Sequence, residues 1–429
     1  MLDGQFTLGV EEEYQIVDPV TRELKSYISR LLEDGKSVLR ERVRMEMHQS
    51  VVEVGTSICK DIGEVRSELT EMRGELSALA KKGGLRIIAA STHPFSDWKT
   101  QEISPHERYY NIIEDLQDVA RSNLIFGLHV HVGIKDREVA IALNNQIRYF
   151  LPHLLALTTS SPCWLGRKSG LMSTRSQIFK RFPRTGIPDE FAGPEHFDQF
   201  VKLLIKTGCI DNGKKIWWDV RPHHIFDTVE VRICDMPTRM DHTIAVVALV
   251  QALMVQLYLM YRRNTAWRSY PRSMLEENKW RAVRFGTDAK LIDFGRQEER
   301  PFSELIVELV EFVREASDML GTSDAVERVI AIQKEGTSAH RQIEVFDKTK
   351  DMKAVVDWLI AETQHGIGGE PPLISLRDLT GLSRLARTGS PGTSVLRGLD
   401  AAEIGSLVEG LAGCAPAPNT VLELLLSTG

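Results

Sequence analysis

Two short stretches alternate polar and apolar residues with a period of two. The first is Leu8-Gly9-Val10-Glu11-Glu12-Glu13-Tyr14-Gln15-Ile16, and the second is Gly127-Leu128-His129-Val130-His131-Val132-Gly133. That period predicts strands, in which residues i and i+2 share a face. Glu11 and Glu13 then form one carboxylate pair, and His129 and His131 one imidazole pair. The first strand is expected over 6–17, ended by the turn Asp18-Pro19. Residues 44–54 alternate too and are read as one second strand. Further strands are expected at 85–90, 124–134, 216–220 and 227–235.

Other segments carry the helical period. Ile62, Val65, Leu69, Met72, Leu76 and Leu79 predict a helix over 61–82, closed by Gly83-Gly84. Helices are also expected at 105–122, 136–160, 240–263, 276–284, 302–319, 323–333 and 350–364. The stretch 161–196, rich in Gly, Pro, Ser, Arg and Phe, reads as a long ordered functional loop. Strands and helices come in mixed order without regular βαβ alternation, which indicates an α+β fold with a mostly antiparallel sheet. The Gly/Pro-rich run Gly366-Ile367-Gly368-Gly369-Glu370-Pro371-Pro372 looks like a boundary. It predicts a body over 1–365 and a tail over 366–429, with a short helix at 400–411.

Composition narrows the class. The chain has 429 residues, 42% of them hydrophobic and 26% charged, with a formal net charge of -6. An acidic balance argues against nucleic acid or an anionic membrane as the main partner. The longest apolar stretch, Ile244 to Met260, is interrupted by Gln251 and Gln256 and reads as a buried helix rather than a membrane span. The N-terminus shows neither a basic nor an apolar signal region, so no secretory signal is expected. Five cysteines without a CxxC spacing fit reduced thiols in a cytoplasm.

The chemistry-bearing residues cluster on the predicted strands. A glutamate run is usually a solvated charge patch, but Leu8, Val10 and Ile16 set this one inside a hydrophobic strand. An unpaired carboxylate is costly to bury, so a divalent cation is the natural partner. Glu46 and Glu53 are seven apart, which puts them on opposite faces of a regular strand; a bulge between them would realign them. His129 and His131 lie between Gly127 and Gly133, where a ligand can approach closely. In Thr228-Val229-Glu230-Val231-Arg232, Glu230 and Arg232 share a face, either as an ion pair or as a metal ligand beside a phosphate clamp. Gly35-Lys36-Ser37 lacks the preceding glycine and strand of a P-loop. GxGxxG after a strand, GxSxG and HExxH are absent.

Seven segments together carry a resemblance. They are Leu8–Tyr14, Thr92-His93-Pro94-Phe95, Gly127–Gly133, Ser160–Gly166, Ile216–Pro222, Thr228–Arg232 and Trp280–Gly286. In this order they resemble the carboxylate-amine ligases of the type 2 glutamate–cysteine ligase family, over about residues 6–365. The resemblance implies a fold related to glutamine synthetase: a curved, mostly antiparallel sheet forming a funnel-shaped active site, with helices packed outside. It implies ATP and Mg²⁺ or Mn²⁺, a small carboxylate substrate such as glutamate, and an amine, cysteine being the family's titular acceptor. It also implies metal ligands at Glu11, Glu13, Glu46, Glu53, His129 and Glu230, with His131 just outside them. Arg232 would contact phosphate, and Arg175 would hold the acid's carboxylate. A homodimer is expected.

Two other readings compete. One is a zinc hydrolase built on His129 and His131; the other is a binding protein that keeps the fold without catalysis. Hard cations prefer oxygen ligands, so five glutamates favour Mg²⁺ or Mn²⁺ over zinc.

Overall fold

The computed structural model describes residues 5–29, 31, 42–223 and 225–367. The tail, with its expected helix at 400–411, lies outside the described residues.

Its centre is the strand β1 (Leu8–Val17). One face of β1 carries Leu8, Val10, Tyr14 and Ile16, all at most 1% exposed. Around it run β2 (Val43–Met45), β3 (Val51–Gly55), β4 (Arg86–Ile88), β5 (Leu128–Gly133), β6 (Val220–Pro222) and β7 (Thr228–Val231). The sheet order is β6-β7-β5-β1-β3-β2, with β4 also paired to β1. Every pairing in this sheet is antiparallel, which bears out the α+β expectation.

Helices cover the apolar face. Helix α1 (Ile62–Lys82) starts at Asp61, whose carboxylate accepts from the Glu64 N–H, and buries Val65, Leu69, Met72 and Leu76. Helix α2 (Met240–Arg262) is long and apolar enough to span a membrane by composition. Here it is a core helix, with every residue from His242 to Leu257 buried and its sides against β5 and α1. An apolar helix buried all round needs no lipid.

Glu12, the middle of the glutamate run, points into this helix layer. Its carboxylate is fully buried and accepts from Arg73 of α1 at 2.6 Å and from Thr243 of α2 at 3.1 Å. Arg73 also donates to the Tyr14 hydroxyl and the Thr238 carbonyl, both at 2.9 Å. Period-two alternation therefore splits the run: Glu12 is tied into the core, while Glu11 and Glu13 face the other way.

The second strand differs from expectation. Residues 44–54 are not one bulged strand but a hairpin, in which β2 and β3 pair with Arg44 opposite Glu53. The turn at Met47–Ser50 reverses the chain and brings Glu46 beside Glu53, so no bulge is needed. Helix 105–122 divides at Gln117, whose φ is +51°. The 161–196 loop carries a short helix, α3 (Thr174–Phe179). Helices at Pro194–Lys206 and Ser338–Thr349, and a hairpin joining Lys290–Asp293 to Glu298–Pro301, were not foreseen.

Candidate active site and metal centre

The register of the sheet lines up three rows of side chains on the face away from the core helices. Arg221, Glu230 and His131 are neighbours across β6, β7 and β5. His129 stands opposite Glu11. Glu13 stands opposite Glu53, which stands opposite Arg44. Cross-strand neighbours are close enough to touch, and here they form two groups of potential ligands. Oxygen or nitrogen atoms of Glu11, His131 and Glu230 lie within 4.8 Å of one another, and so do oxygens of Glu13, Glu46 and Glu53. Together these hold five carboxylates and one imidazole, a donor set for a hard cation rather than zinc.

Each group has its own electrostatics. In the first, Glu230 receives Arg221 Nε at 2.7 Å and also the Arg232 guanidinium. Burial opposes ionisation, but Arg232 and Arg221 hold the Glu230 carboxyl well below its ordinary range. Burial likewise opposes Glu11, and the hydrogen bond from His129, with His131 close by, brings it down. Burial and the Arg232 charge push His129 down to about 4, so the ring is neutral near pH 7. A carboxylate only accepts, so the His129 Nδ1 at 3.2 Å from Glu11 carries the hydrogen.

The second group is the reverse. Burial and the Glu46 charge push Glu13 up to about 8, against Arg175 and the Gly127 N–H that donates to it at 2.6 Å. Burial also raises Glu46. Glu53 is raised well above its ordinary range by burial and by the charges of Glu11 and Glu46. Carboxylates this close oppose one another's ionisation, and a cation among them would relieve it.

The two histidines have different neighbours on the site face. His131 brings Nε2 to 3.9 Å from both Glu11 and Glu230, while Thr228 Oγ1 meets its Nδ1 at 3.1 Å. His129 instead faces Glu11 and stands outside both ligand groups. The reason is register: His131, not His129, is the partner of Glu230.

Arg175 lies across Gly127. A Cβ on that glycine would sit 2.5 Å from Arg175 Nη2. Its Nη1 and Nη2 donate to the carbonyls of Ile233 at 3.1 Å and Arg232 at 3.2 Å, and Nε has no partner. The Arg175 loop is fastened by buried Asp235, which accepts from Ser160 N, Ser161 Oγ and Ser173 Oγ. Arg232 is braced through its backbone. The Asp219 carbonyl accepts the Arg232 N–H at 2.8 Å, and Lys279 holds the Asp219 carboxylate at 2.6 Å.

Three further residues stand beside these groups without having been given a role from the sequence: Arg44, Arg221 and Thr228. Arg221 lies opposite Glu230, and Arg44 opposite Glu53. That signal becomes readable only once the pairing is known.

These features define a carbon–nitrogen bond-forming ligase when set beside known proteins. The profile of glutamate–cysteine ligase family 2 matches residues 7–362, and the chain belongs to that family. Over 369 residues it is 65% identical to the "Putative glutamate--cysteine ligase 2" of Sorangium cellulosum, covering 86% of this chain and 98% of the relative. It is 55% identical over 362 residues to the protein of the same name from Herpetosiphon aurantiacus, covering 84% and 94%. Among solved structures, the fold resembles a glutamate–cysteine ligase from Francisella tularensis in complex with AMP. There the TM-score is 0.65 and the identity 14%, covering 90% of this chain and 94% of that one. A bifunctional glutathione synthetase from Pasteurella multocida gives a TM-score of 0.61 at 12% identity, covering 84% and 53%.

Proposed function

We propose that the chain joins a small carboxylic acid, glutamate by its relatives' names, to an amine such as cysteine, using ATP and working through an acyl phosphate. The observation that supports this reading most directly is the pair of carboxylate-rich groups on one sheet face, with Arg221 and Arg232 at one end. The donor set fits Mg²⁺ or Mn²⁺. Glu13, Glu46 and Glu53 resist ionising together, and Arg232 Nε is buried without a partner. Bound there, such cations would neutralise phosphate charge.

In the first step the acid's carboxylate oxygen attacks the γ-phosphorus, the bond to ADP breaks, and an acyl phosphate forms. In the second the amine nitrogen attacks the acyl carbon, phosphate leaves with the C–O bond, and a proton departs from nitrogen. The protein's own task is positioning and charge neutralisation. Glu13, Glu46 and Glu53 would hold one cation, and Glu11, His131 and Glu230 another, with His129 orienting Glu11. Arg232 would contact the transferred phosphoryl group. Arg175 would place a fixed charge and its free Nε beside the acid. A cytoplasmic setting accords with Cys59, Cys163, Cys209 and Cys234, all free thiols among the described residues.

The test is incubation with ATP, Mg²⁺, glutamate and a panel of amines, followed by mass analysis of the amide. Glu230→Ala and Arg232→Ala should each lower turnover by about 10²–10³-fold, the usual effect of removing one group that stabilises transition-state charge. Near-normal turnover in either folded variant would reject the assigned roles.

A further inference from the structure

Arg44 has no part in the assignments above, yet it bridges the two ligand groups. Its Nη1 stands 3.6 Å from Glu11 Oε1, in the first group, and 3.5 Å from Glu53 Oε1, in the second. Its place on the site face is set by the β2–β3 register, which puts it opposite Glu53. Both contacts are too long for hydrogen bonds and are charge contacts.

Unlike Arg221 and Arg232, which are locked onto buried Glu230, Arg44 comes from the last strand of the sheet, and its side chain is 62% exposed. It can swing without unpacking anything. The fixed guanidinium contacts are concentrated on Glu230. The Glu13, Glu46 and Glu53 group, where burial opposes charge, has buried Arg175 near Glu13, exposed Arg108 near Glu46, and Arg44 as the exposed cation that also reaches Glu11.

Resting on the ligase reading, we propose that Arg44 is a stand-in cation that is handed over to substrate. With the two groups empty it partly neutralises Glu11 and Glu53. Once divalent cations enter both groups, the guanidinium is repelled by each of them. It then turns to an oxyanion held between them, either the acid's reacting carboxylate or the phosphoryl group passing to it. The fork of guanidinium donors matches either anion. Arg44 would thus compete with metal in the empty site and assist substrate in the filled one. A purely structural arginine would do neither.

Two measurements separate these outcomes on the full chain: Mn²⁺ titration followed by electron paramagnetic resonance without nucleotide, and steady-state kinetics with ATP, Mg²⁺ and glutamate. Arg44→Ala should bind Mn²⁺ about threefold tighter or more, since an exposed charge pair no longer opposes it. Its ligation should weaken at the same time. A raised KM for the acid at constant kcat would assign Arg44 to the carboxylate, and a lowered kcat at constant KM would assign it to the phosphoryl group. Arg44→Lys should fall between wild type and Arg44→Ala in both assays. Mn²⁺ affinity that is unchanged or weaker in Arg44→Ala overturns the proposal, as does wild-type kinetics in that variant. Should wild type bind Mn²⁺ but form no amide, the ligase reading falls, and with it the handover to substrate.

Discussion

Gly127→Ala is the sharpest perturbation available at this site. The added Cβ would lie 2.5 Å from Arg175 Nη2, 3.1 Å from Cζ and 3.2 Å from Nε. The guanidinium cannot simply lift away. It is 4% exposed, it donates to two backbone carbonyls, and Asp235 Oδ1 lies 4.0 Å behind it. Either the strand shifts, at an overpacking cost of about 1–3 kcal/mol, or the charged hydrogen bonds break at about 1.5–3 kcal/mol each, part of which water returns. A net loss of about 3 kcal/mol is expected. The unfolding entropy of a body of roughly 360 residues is about 0.75 kcal/mol/K, so the melting temperature should fall by about 4 °C. The same displacement moves the Arg232 carbonyl and the N–H that holds Glu13, so turnover should fall by about 10- to 100-fold. A double-mutant cycle makes the cause testable. If the clash with Arg175 is responsible, Gly127→Ala should cost about 1 kcal/mol or less in an Arg175→Ala background. An equal cost in both backgrounds would refute the reasoning.

Three further outcomes are expected. Arg73→Met leaves Glu12 buried without its cation and should lower stability by about 3–5 kcal/mol in denaturant melts; a loss below about 1 kcal/mol would show that the pair is not what ties β1 to α1. In metal-free protein Glu13, raised to about 8, holds a proton that the unfolded chain has released above about 4.5, so its stabilising effect is lost as pH rises through 8. Buried His129, His153 and His242, lowered to about 4, act with the opposite sign between about pH 4 and 6.5. The carboxylates therefore show cleanly between pH 6.5 and 8. There the melting temperature in chelator should fall and the gain on adding Mg²⁺ should grow; a pH-independent gain would contradict the shared proton. Finally, a chain ending near residue 370 should keep its turnover per monomer, because every site residue lies before it. Lost turnover with unchanged fold and oligomeric mass, measured by light scattering, would place the tail over the active site.

The faces of the strands were legible from local pattern alone. Alternation in β1 and β5 separated Glu11 and Glu13 from Glu12, and paired His129 with His131, because successive strand side chains point to opposite sides whatever the strand's neighbours. The period of α1 and its glycine end were equally local. What lies across from a given residue is not local. The hairpin that brings Glu46 to Glu53 depends on where the chain reverses, and a reversal without a glycine or proline leaves little trace in the sequence. The choice of His131 over His129 beside Glu230 follows from the pairing of β5 with β7, strands separated by about ninety residues of sequence. Arg73 reaching Glu12, Arg175 crossing Gly127 and Arg44 spanning both ligand groups are likewise long-range contacts. Sequence thus determined which chemical groups face the site, since that is a property of each strand's own geometry. Tertiary structure decided which of them meet, because register and packing are set only when distant segments close on one another.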